Sequence, residues 1–265
     1  MSETPTSNSL GKWVERLLAA ILLGGQVMVH LLTRKIHRRN TLDQMALVGP
    51  ASLLIALITA AFVGMVFTIQ VSREFITLGA GSAVGGVLAL ALGRELAPVL
   101  TAVVLAGRVG SAFAAELGTM QVTEQIDALY VLKTDPIDYL VIPRVIACCL
   151  MLPILTVLSF LTGLAGGLLI ATSMYGISQS VFLDSVQNFL GLWDLFSAPI
   201  KGFFFGALIA VIGCSWGLTT TGGAKGVGQS TTTAVVTSLL AIFISNFFLS
   251  WIMFQGTGSA VVPGG

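Results

Sequence analysis

The sequence predicts an all-α, polytopic integral membrane protein. Of its 265 residues, 55% are hydrophobic and only 9% are charged, and the mean hydropathy is +0.94. About a quarter of the residues of a soluble domain are charged. Several apolar stretches also exceed the roughly 18 to 20 residues needed to cross a hydrocarbon core. Because backbone in lipid must satisfy its own hydrogen bonds, we expect these stretches to be helices.

Residues 1–40 are predicted to form a polar tail and an interfacial amphipathic helix. Residues 1–9 have no apolar periodicity, so we expect this tail to be disordered. Residues 10–32 are apolar but are interrupted by charged residues such as Lys12 and Arg16, which is typical of a helix lying along the membrane interface. A full crossing is the main alternative. A signal peptide is disfavoured by the basic residues that follow at once.

A single transmembrane domain is predicted over residues 41–265. It contains five spanning helices, at about 45–70, 84–107, 140–172, 199–218 and 231–255. The third is too long for one straight crossing, and Pro143 and Pro153 indicate an extended or kinked helix.

The basic residues indicate the topology. Ten of the thirteen lie before the first span, between the second and third, at the start of the third, or between the fourth and fifth: Lys12, Arg16, Arg34, Lys35, Arg38, Arg39, Arg108, Lys133, Arg144 and Lys225. The opposite-side segments hold Arg73 and, at the mouth of the fourth span, Lys201. By the positive-inside rule we expect a cytoplasmic N-terminus and a C-terminus on the other side. The net charge of +1 gives no reason to expect nucleic-acid binding.

Small residues follow one face of the fourth span. Gly202, Gly206, Ala210, Gly213 and Gly217 recur at intervals of three or four. Such a stripe lets two helix backbones approach closely. A subunit interface and packing within one chain are both consistent with this spacing.

A charged pair lies inside the second span, where Arg94 and Glu95 are followed by Pro98. Ionisable side chains within a membrane are costly and tend to face a cavity or a partner, so these residues are candidates for a substrate pathway. Neighbours on a helix point about 100° apart, so the two cannot simply pair with each other. Pro98 is expected to bend the helix beside a cavity. The alternative is an interhelical ion pair that only fixes packing.

The stretch between the second and third spans is polar, and a short amphipathic helix is predicted within about 116–133. Its apolar residues recur at helical spacing: Val122, Ile126, Leu129 and Leu132. We expect this helix to lie under the membrane with its acidic side available to a partner. A solvated connecting helix is the alternative.

Five runs of residues carry a resemblance to a known family. They are Ala106-Gly-Arg-Val-Gly-Ser-Ala112, Glu116-Leu-Gly-Thr-Met120, Val122-Thr-Glu-Gln-Ile-Asp-Ala-Leu129, Asp135-Pro136 and Pro143-Arg144. Together they are similar to the MlaE family of lipid-transport permeases. The resemblance extends from about residue 41 to the fifth span and is weak in the N-terminal arm and after Gln255.

The resemblance implies that the polar stretch is a coupling helix that seats in a separate ABC ATPase. It assigns this contact to Glu116, Glu124, Gln125 and Asp127. ATP and magnesium are then expected on that ATPase, with no cofactor in this chain.

The resemblance also implies a lipid-holding chamber lined by Arg94, Glu95, Pro98 and Lys201. The implied assembly contains two copies of the permease, cytoplasmic ATPases and an outer substrate-binding protein with an MCE domain. The cargo would be a phospholipid. The expected location is a bacterial cytoplasmic (inner) membrane, with a plastid inner envelope as the alternative.

The glycine-rich loop after the fourth span does not form a phosphate-binding loop. Gly217 and Gly222 have the required spacing, but Gly223 stands where lysine is needed, and no Ser or Thr follows Lys225-Gly226. We therefore expect a transport subunit rather than an enzyme, with no catalytic residue and no metal site. A lipid-modifying enzyme and an ion-coupled secondary transporter, both using Glu95, are the competing functions. His30, His37 and the three cysteines are given no role.

Overall fold

The computed structural model describes residues 5–33 and 38–255, and every regular element within them is helical. Residues 1–4, residues 34–37 with Arg34, Lys35 and His37, and the chain after Gln255 lie outside the described residues, as do the side chains of residues 5–10, 12, 32, 33 and 255. Eleven α-helices occur in the described part: α1 Pro5–Thr33, α2 Arg38–Val48, α3 Pro50–Thr77, α4 Val84–Ala91, α5 Ala97–Leu105, α6 Ser111–Val122, α7 Gln125–Val131, α8 Ile142–Tyr175, α9 Gln179–Phe189, α10 Leu192–Leu218 and α11 Gly223–Gln255.

Six helical runs are long and apolar enough to cross a membrane, judged by length and composition: Trp13–Leu31, Arg38–Thr77, Gly81–Val122, Ile137–Tyr175, Leu192–Leu218 and Gly223–Phe254. The predicted polytopic helical fold is confirmed. The first run lies in α1, so the interfacial placement of this helix stays a prediction with a full crossing as its alternative. Because α1 begins at Pro5, residues 5–9 are helical rather than part of the expected disordered tail.

The first predicted span is divided by a break before Pro50. The helix α2 ends at Val48, and α3 starts with the proline in its first turn. A residue that precedes proline is disfavoured in the helical region, which explains a boundary at Gly49.

The second predicted span was placed too short at its C-terminal end. Two π-helical segments, Leu92–Leu96 and Ala106–Gly110, join α4, α5 and α6 into one run that ends at Val122. A third π-helical segment, Ile137–Val141, precedes α8. A π-helical turn accommodates one additional residue without ending a helix, so these insertions leave no break for a sequence pattern to detect.

The predicted amphipathic helix within 116–133 is really two elements. Its first part belongs to α6, and α7 covers only Gln125–Val131. Left-handed backbone at Glu124 (φ 60°) and Lys133 (φ 55°) limits this short helix at both ends. Leu132 lies beyond the helix and is 72% exposed, so it does not extend the predicted apolar face.

The last two spans begin earlier than predicted, and a helix between the third and fourth was missed. The helix α10 starts at Leu192, and α11 starts at Gly223. The loop that was predicted over 217–226 therefore contains only residues 219–222. The missed helix is α9, whose N-cap Ser178 accepts a hydrogen bond from the N–H of Val181.

The chain divides into two compact units, the first consisting of Met1–Val48, Leu105–Cys148 and Ala207–Leu240. Within this unit the small residues of α10 allow close packing against α6. A Cβ on Gly217 would lie 2.6 Å from the Cβ of Leu117, and a Cβ on Gly213 would lie 2.9 Å from the carbonyl oxygen of Gly110. Both positions of the stripe therefore pack within the chain.

The second unit consists of Gly49–Val104, Cys149–Gly206 and Ala241–Gly265. Here α3 meets α8 where a Cβ on Gly64 would collide with the backbone of Gly163. The helix α9 packs on α4, and the Ser185 hydroxyl accepts a hydrogen bond of 2.9 Å from the N–H of Gly86. That N–H lies in the first turn of α4 and has no partner within the helix.

Candidate functional site

The centre of the second unit is a network of charged and polar side chains from three helical runs. Arg94 and Glu95 lie in the π-helical segment between α4 and α5. Asp194 and Lys201 come from α10, and Asn246 comes from α11. Sequence reasoning identified Arg94, Glu95 and Lys201 and missed the other two.

Arg94 and Glu95 point to different partners, as their angular separation predicts. The Nε of Arg94 donates to Oδ1 of Asp194 at 2.7 Å. The Nζ of Lys201 donates to Oε1 of Glu95 at 2.9 Å. Each of these four charges therefore has an opposite charge beside it, which reduces the cost of holding it inside the membrane.

The carboxylate of Glu95 is further held by two neutral donors on α11. Asn246 donates through Nδ2 to Oε2, and Ser250 donates through its hydroxyl to Oε1, both at 2.7 Å. Both carboxylate oxygens are thus bonded, and the orientation of the group is fixed by three donors.

Lys201 is the most deeply buried of the four charged side chains of the network. It lies within α10, with its side chain 0% exposed, rather than at the mouth of a span as predicted. Besides Glu95, its Nζ donates to the carbonyl oxygen of Arg94 and to the hydroxyl of Ser250, each at 2.7 Å. Pro98 has no N–H to offer the carbonyl four residues before it, which is that of Arg94. The lysine thus supplies a donor where the proline removes one.

In each ion pair one side chain is buried and the other is partly accessible to solvent. Lys201 and Asp194 are 0% and 6% exposed, whereas Glu95 and Arg94 are 43% and 41% exposed. Arg94 also lies over the ring of Phe254, with its guanidinium carbon 4.7 Å from the ring centroid. A guanidinium and a carboxylate from adjacent residues are therefore both partly accessible, each held by a buried partner.

The predicted coupling residues do not lie in one place on one helix. Glu116 is in α6, where its Oε2 bonds Nη2 of Arg144 at 2.8 Å, so it is committed to an ion pair within the chain. Glu124, Gln125 and Asp127 are exposed at the start of α7. These three side chains are available for an external contact, and Glu116 is half exposed beside its ion pair.

The buried Ile126 fixes α7, since it is 4% exposed while its neighbours on both sides are accessible. The short helix thus buries Ile126 and presents polar side chains, Gln125 and Asp127, outward. This arrangement suits a helix that contacts another protein.

His30 was given no role because no acidic residue is near it in sequence, yet the fold brings two to it. Its Nδ1 lies 2.6 Å from Oδ1 of Asp138 and 4.0 Å from Oδ2 of Asp135. One ligand atom from each residue lies within 4.8 Å of the others, a spacing that a cation could bridge, whereas the sequence predicted no metal site.

Comparisons with known proteins match most of this chain to one family. The family model described as permease MlaE matches residues 41–252. A "Probable ABC transporter permease protein" of Synechocystis is 70% identical over 262 residues, 99% of this chain and all of the relative. Protein TRIGALACTOSYLDIACYLGLYCEROL 1, chloroplastic, of Arabidopsis thaliana is 56% identical, covering 98% of this chain and 75% of the relative. A "Probable ABC transporter permease protein" of Pyropia yezoensis is 51% identical over 95% of this chain and 96% of its own length.

Proposed function

Because this chain belongs to the MlaE permease family, we propose that it is the membrane-spanning subunit of an ABC transporter and that its cargo is a phospholipid. The names of its relatives in Synechocystis and Pyropia support the first part. The name of its Arabidopsis relative includes a diacylglycerol lipid, which supports a lipid as the class of cargo.

The observation that carries the phospholipid proposal is the pair of accessible charges at Arg94 and Glu95. A zwitterionic head group has a phosphate and an ammonium a few ångströms apart. The guanidinium suits the phosphate, because its N–H donors match phosphate oxygens, and the carboxylate suits the ammonium. Lys201 and Asp194 would hold these two groups in place without themselves touching the lipid.

The energy would come from a separate ABC ATPase that contacts α7. The support is the exposed group of Glu124, Gln125 and Asp127 on a helix with turns at both ends. ATP and magnesium belong to that partner in this proposal. Closure of the ATPase would move α7 and, through it, the helices around the lipid.

The complete assembly in this proposal contains a second copy of the chain and an MCE-domain protein that receives or delivers the lipid. The membrane is a bacterial cytoplasmic membrane or a plastid envelope, which the Synechocystis and Arabidopsis relatives favour. The charge distribution favours a cytoplasmic N-terminus.

Affinity purification of the tagged chain in mild detergent tests the proposal as a whole. Mass spectrometry of proteins and lipids should find an ABC ATPase, an MCE-domain protein and bound phospholipid. Recovery of the chain without an ATPase in several detergents would contradict the transporter assembly.

Charge reversal at Asp127 tests the coupling contact. We expect Asp127→Lys to abolish lipid transport in proteoliposomes or to uncouple it from ATP hydrolysis, because a cation would replace the acid at the partner surface. The Arg73→Glu change, at an exposed arginine of α3, is the control for a general charge effect. Unchanged, coupled transport by the Asp127→Lys complex would exclude α7 as the coupling element.

A further inference from the structure

A large groove in the first unit is not used by the proposed lipid pathway. It has a volume of about 1070 Å³, slightly above the range of about 300–1000 Å³ that is typical of small-molecule sites. One wall comes from α1 and the other from the loop after α10 and the start of α11. Its polar lining includes Trp13, Glu15, Arg16, Thr219, Lys225 and Gln229.

Two cations line this groove, and one of them is held in place by the fold. The Nη2 of Arg16 donates to the carbonyl oxygen of Thr219 at 3.3 Å, and its Nη1 donates to the hydroxyl of Ser230 at 3.5 Å. These long bonds position the guanidinium and leave donor capacity for a ligand, since arginine carries five N–H groups.

The second cation is Lys225, in the first turn of α11, whose N-terminus adds a partial positive charge. The lysine is exposed and makes no hydrogen bond or ion pair with any residue of 5–33 or 38–255. Glu15 also lines the groove, so the three side chains together carry one net positive charge. A phosphodiester, with one negative charge, balances it.

The surroundings of the groove favour a lipid over a soluble phosphate. The helix α1 continues with exposed apolar side chains, of which Leu18 is 55% and Leu22 is 68% exposed. On α11, Val236 and Leu240 are each 48% exposed. These surfaces can accommodate acyl chains next to the groove. Trp13 has the amphipathic character that places tryptophan at membrane interfaces.

We infer that this groove binds the phosphate-bearing head group of a membrane phospholipid. Arg16 and Lys225 hold the phosphate, and the apolar faces of α1 and α11 hold the chains. The site shares no residue with the network around Glu95, so one chain would bind lipid in two separate places.

Native mass spectrometry of the delipidated full chain tests this inference. Phosphatidylglycerol is titrated in parallel with a diacylglycerol that has the same acyl chains and lacks the phosphate. Loss of a charged hydrogen-bond partner corresponds to about a tenfold change in affinity. We therefore expect Lys225→Gln to weaken the binding of one phosphatidylglycerol about tenfold and to leave diacylglycerol binding unchanged. Lys133→Gln, which alters an exposed lysine outside the groove, should match the unaltered chain.

Lys225→Gln is the deciding variant because this lysine makes no bond that the described fold needs, whereas Arg16 also links helices. Adding Glu95→Gln removes the contribution of the other lipid site, so the outcome does not depend on the proposed transport pathway. Equal affinity of the Lys225→Gln and unaltered chains would overturn the inference, as would equal binding of the two lipids. Loss of a co-purifying ATPase with phosphatidylglycerol binding retained would show a protein-docking surface instead.

Discussion

Replacing Lys201 by methionine tests whether the charged network holds the second unit together. Methionine has a similar length but no donor, so the change removes bonds to Glu95, to Ser250 and to the carbonyl of Arg94. Hydrogen bonds that involve a charged group contribute about 1.5–3 kcal/mol each, and removing one partner of a fully buried ion pair costs about 3–5 kcal/mol. Because Glu95 is 43% exposed, water can solvate part of its charge. We expect a loss of about 2–3 kcal/mol.

Thermal unfolding in detergent, followed by the fraction of monodisperse protein, measures this loss. For a chain of this size about 2–4 °C corresponds to 1 kcal/mol, so Lys201→Met should lower Tm by roughly 4–12 °C. Lys225→Met, the same change at an exposed lysine, should shift Tm by less than about 2 °C.

A double variant separates the ion pair from a general effect of losing a buried lysine. Glu95→Gln keeps the size of the side chain and removes its charge. The combined Glu95→Gln, Lys201→Met chain should lose at least about 1 kcal/mol less than the sum of the two single losses, because each single variant already breaks the same pair. Additive losses would refute the coupling between these two residues.

Two further predictions concern packing in the second unit. Gly64→Ala should abolish recovery of folded protein from membranes, since its Cβ collides with the backbone of Gly163, whereas Gly25→Ala, with nothing within 4 Å, should keep normal yield. Ser185→Ala should destabilise the chain by about 1 kcal/mol in the same thermal assay, because the N–H of Gly86 loses its acceptor, while Ser185→Thr, which keeps the hydroxyl, should cost less.

The sequence was sufficient to predict the helical membrane fold and the chemical character of Arg94 and Glu95. Low charge and long apolar runs require membrane helices whatever their tertiary arrangement. A charge inside such a helix requires a partner, which made these two residues conspicuous. Each of these conclusions depends on local composition alone.

The partners themselves could not be predicted, because they are remote in sequence. Asp194 is 100 residues from Arg94, and Asn246 is 151 residues from Glu95. Asp194 also lay outside the predicted spans, since the predicted fourth span began seven residues after the start of α10 at Leu192. The residues next to Asp194 in sequence do not indicate that it pairs with an arginine 100 residues away.

The division of the predicted coupling helix had a different cause. Glu124 adopts left-handed backbone, which is uncommon for residues other than glycine, so no local rule marks it as a break. The apolar spacing continues across the break and predicts one helix where there are two elements. The polar residues Glu124, Gln125 and Asp127 nevertheless lie exposed at the start of α7.

The bond from Lys201 to the carbonyl of Arg94 replaces a backbone hydrogen bond of another helix with one from a side chain. A carbonyl without a donor is costly where no water is present, so this lysine cannot leave unless the helix around Pro98 changes its own hydrogen bonding. Because Lys201 also bonds Glu95, a head group that draws the partly exposed Glu95 toward itself acts through Lys201 on the geometry of that helix. Lipid binding would in this way change the conformation of the helix around Pro98.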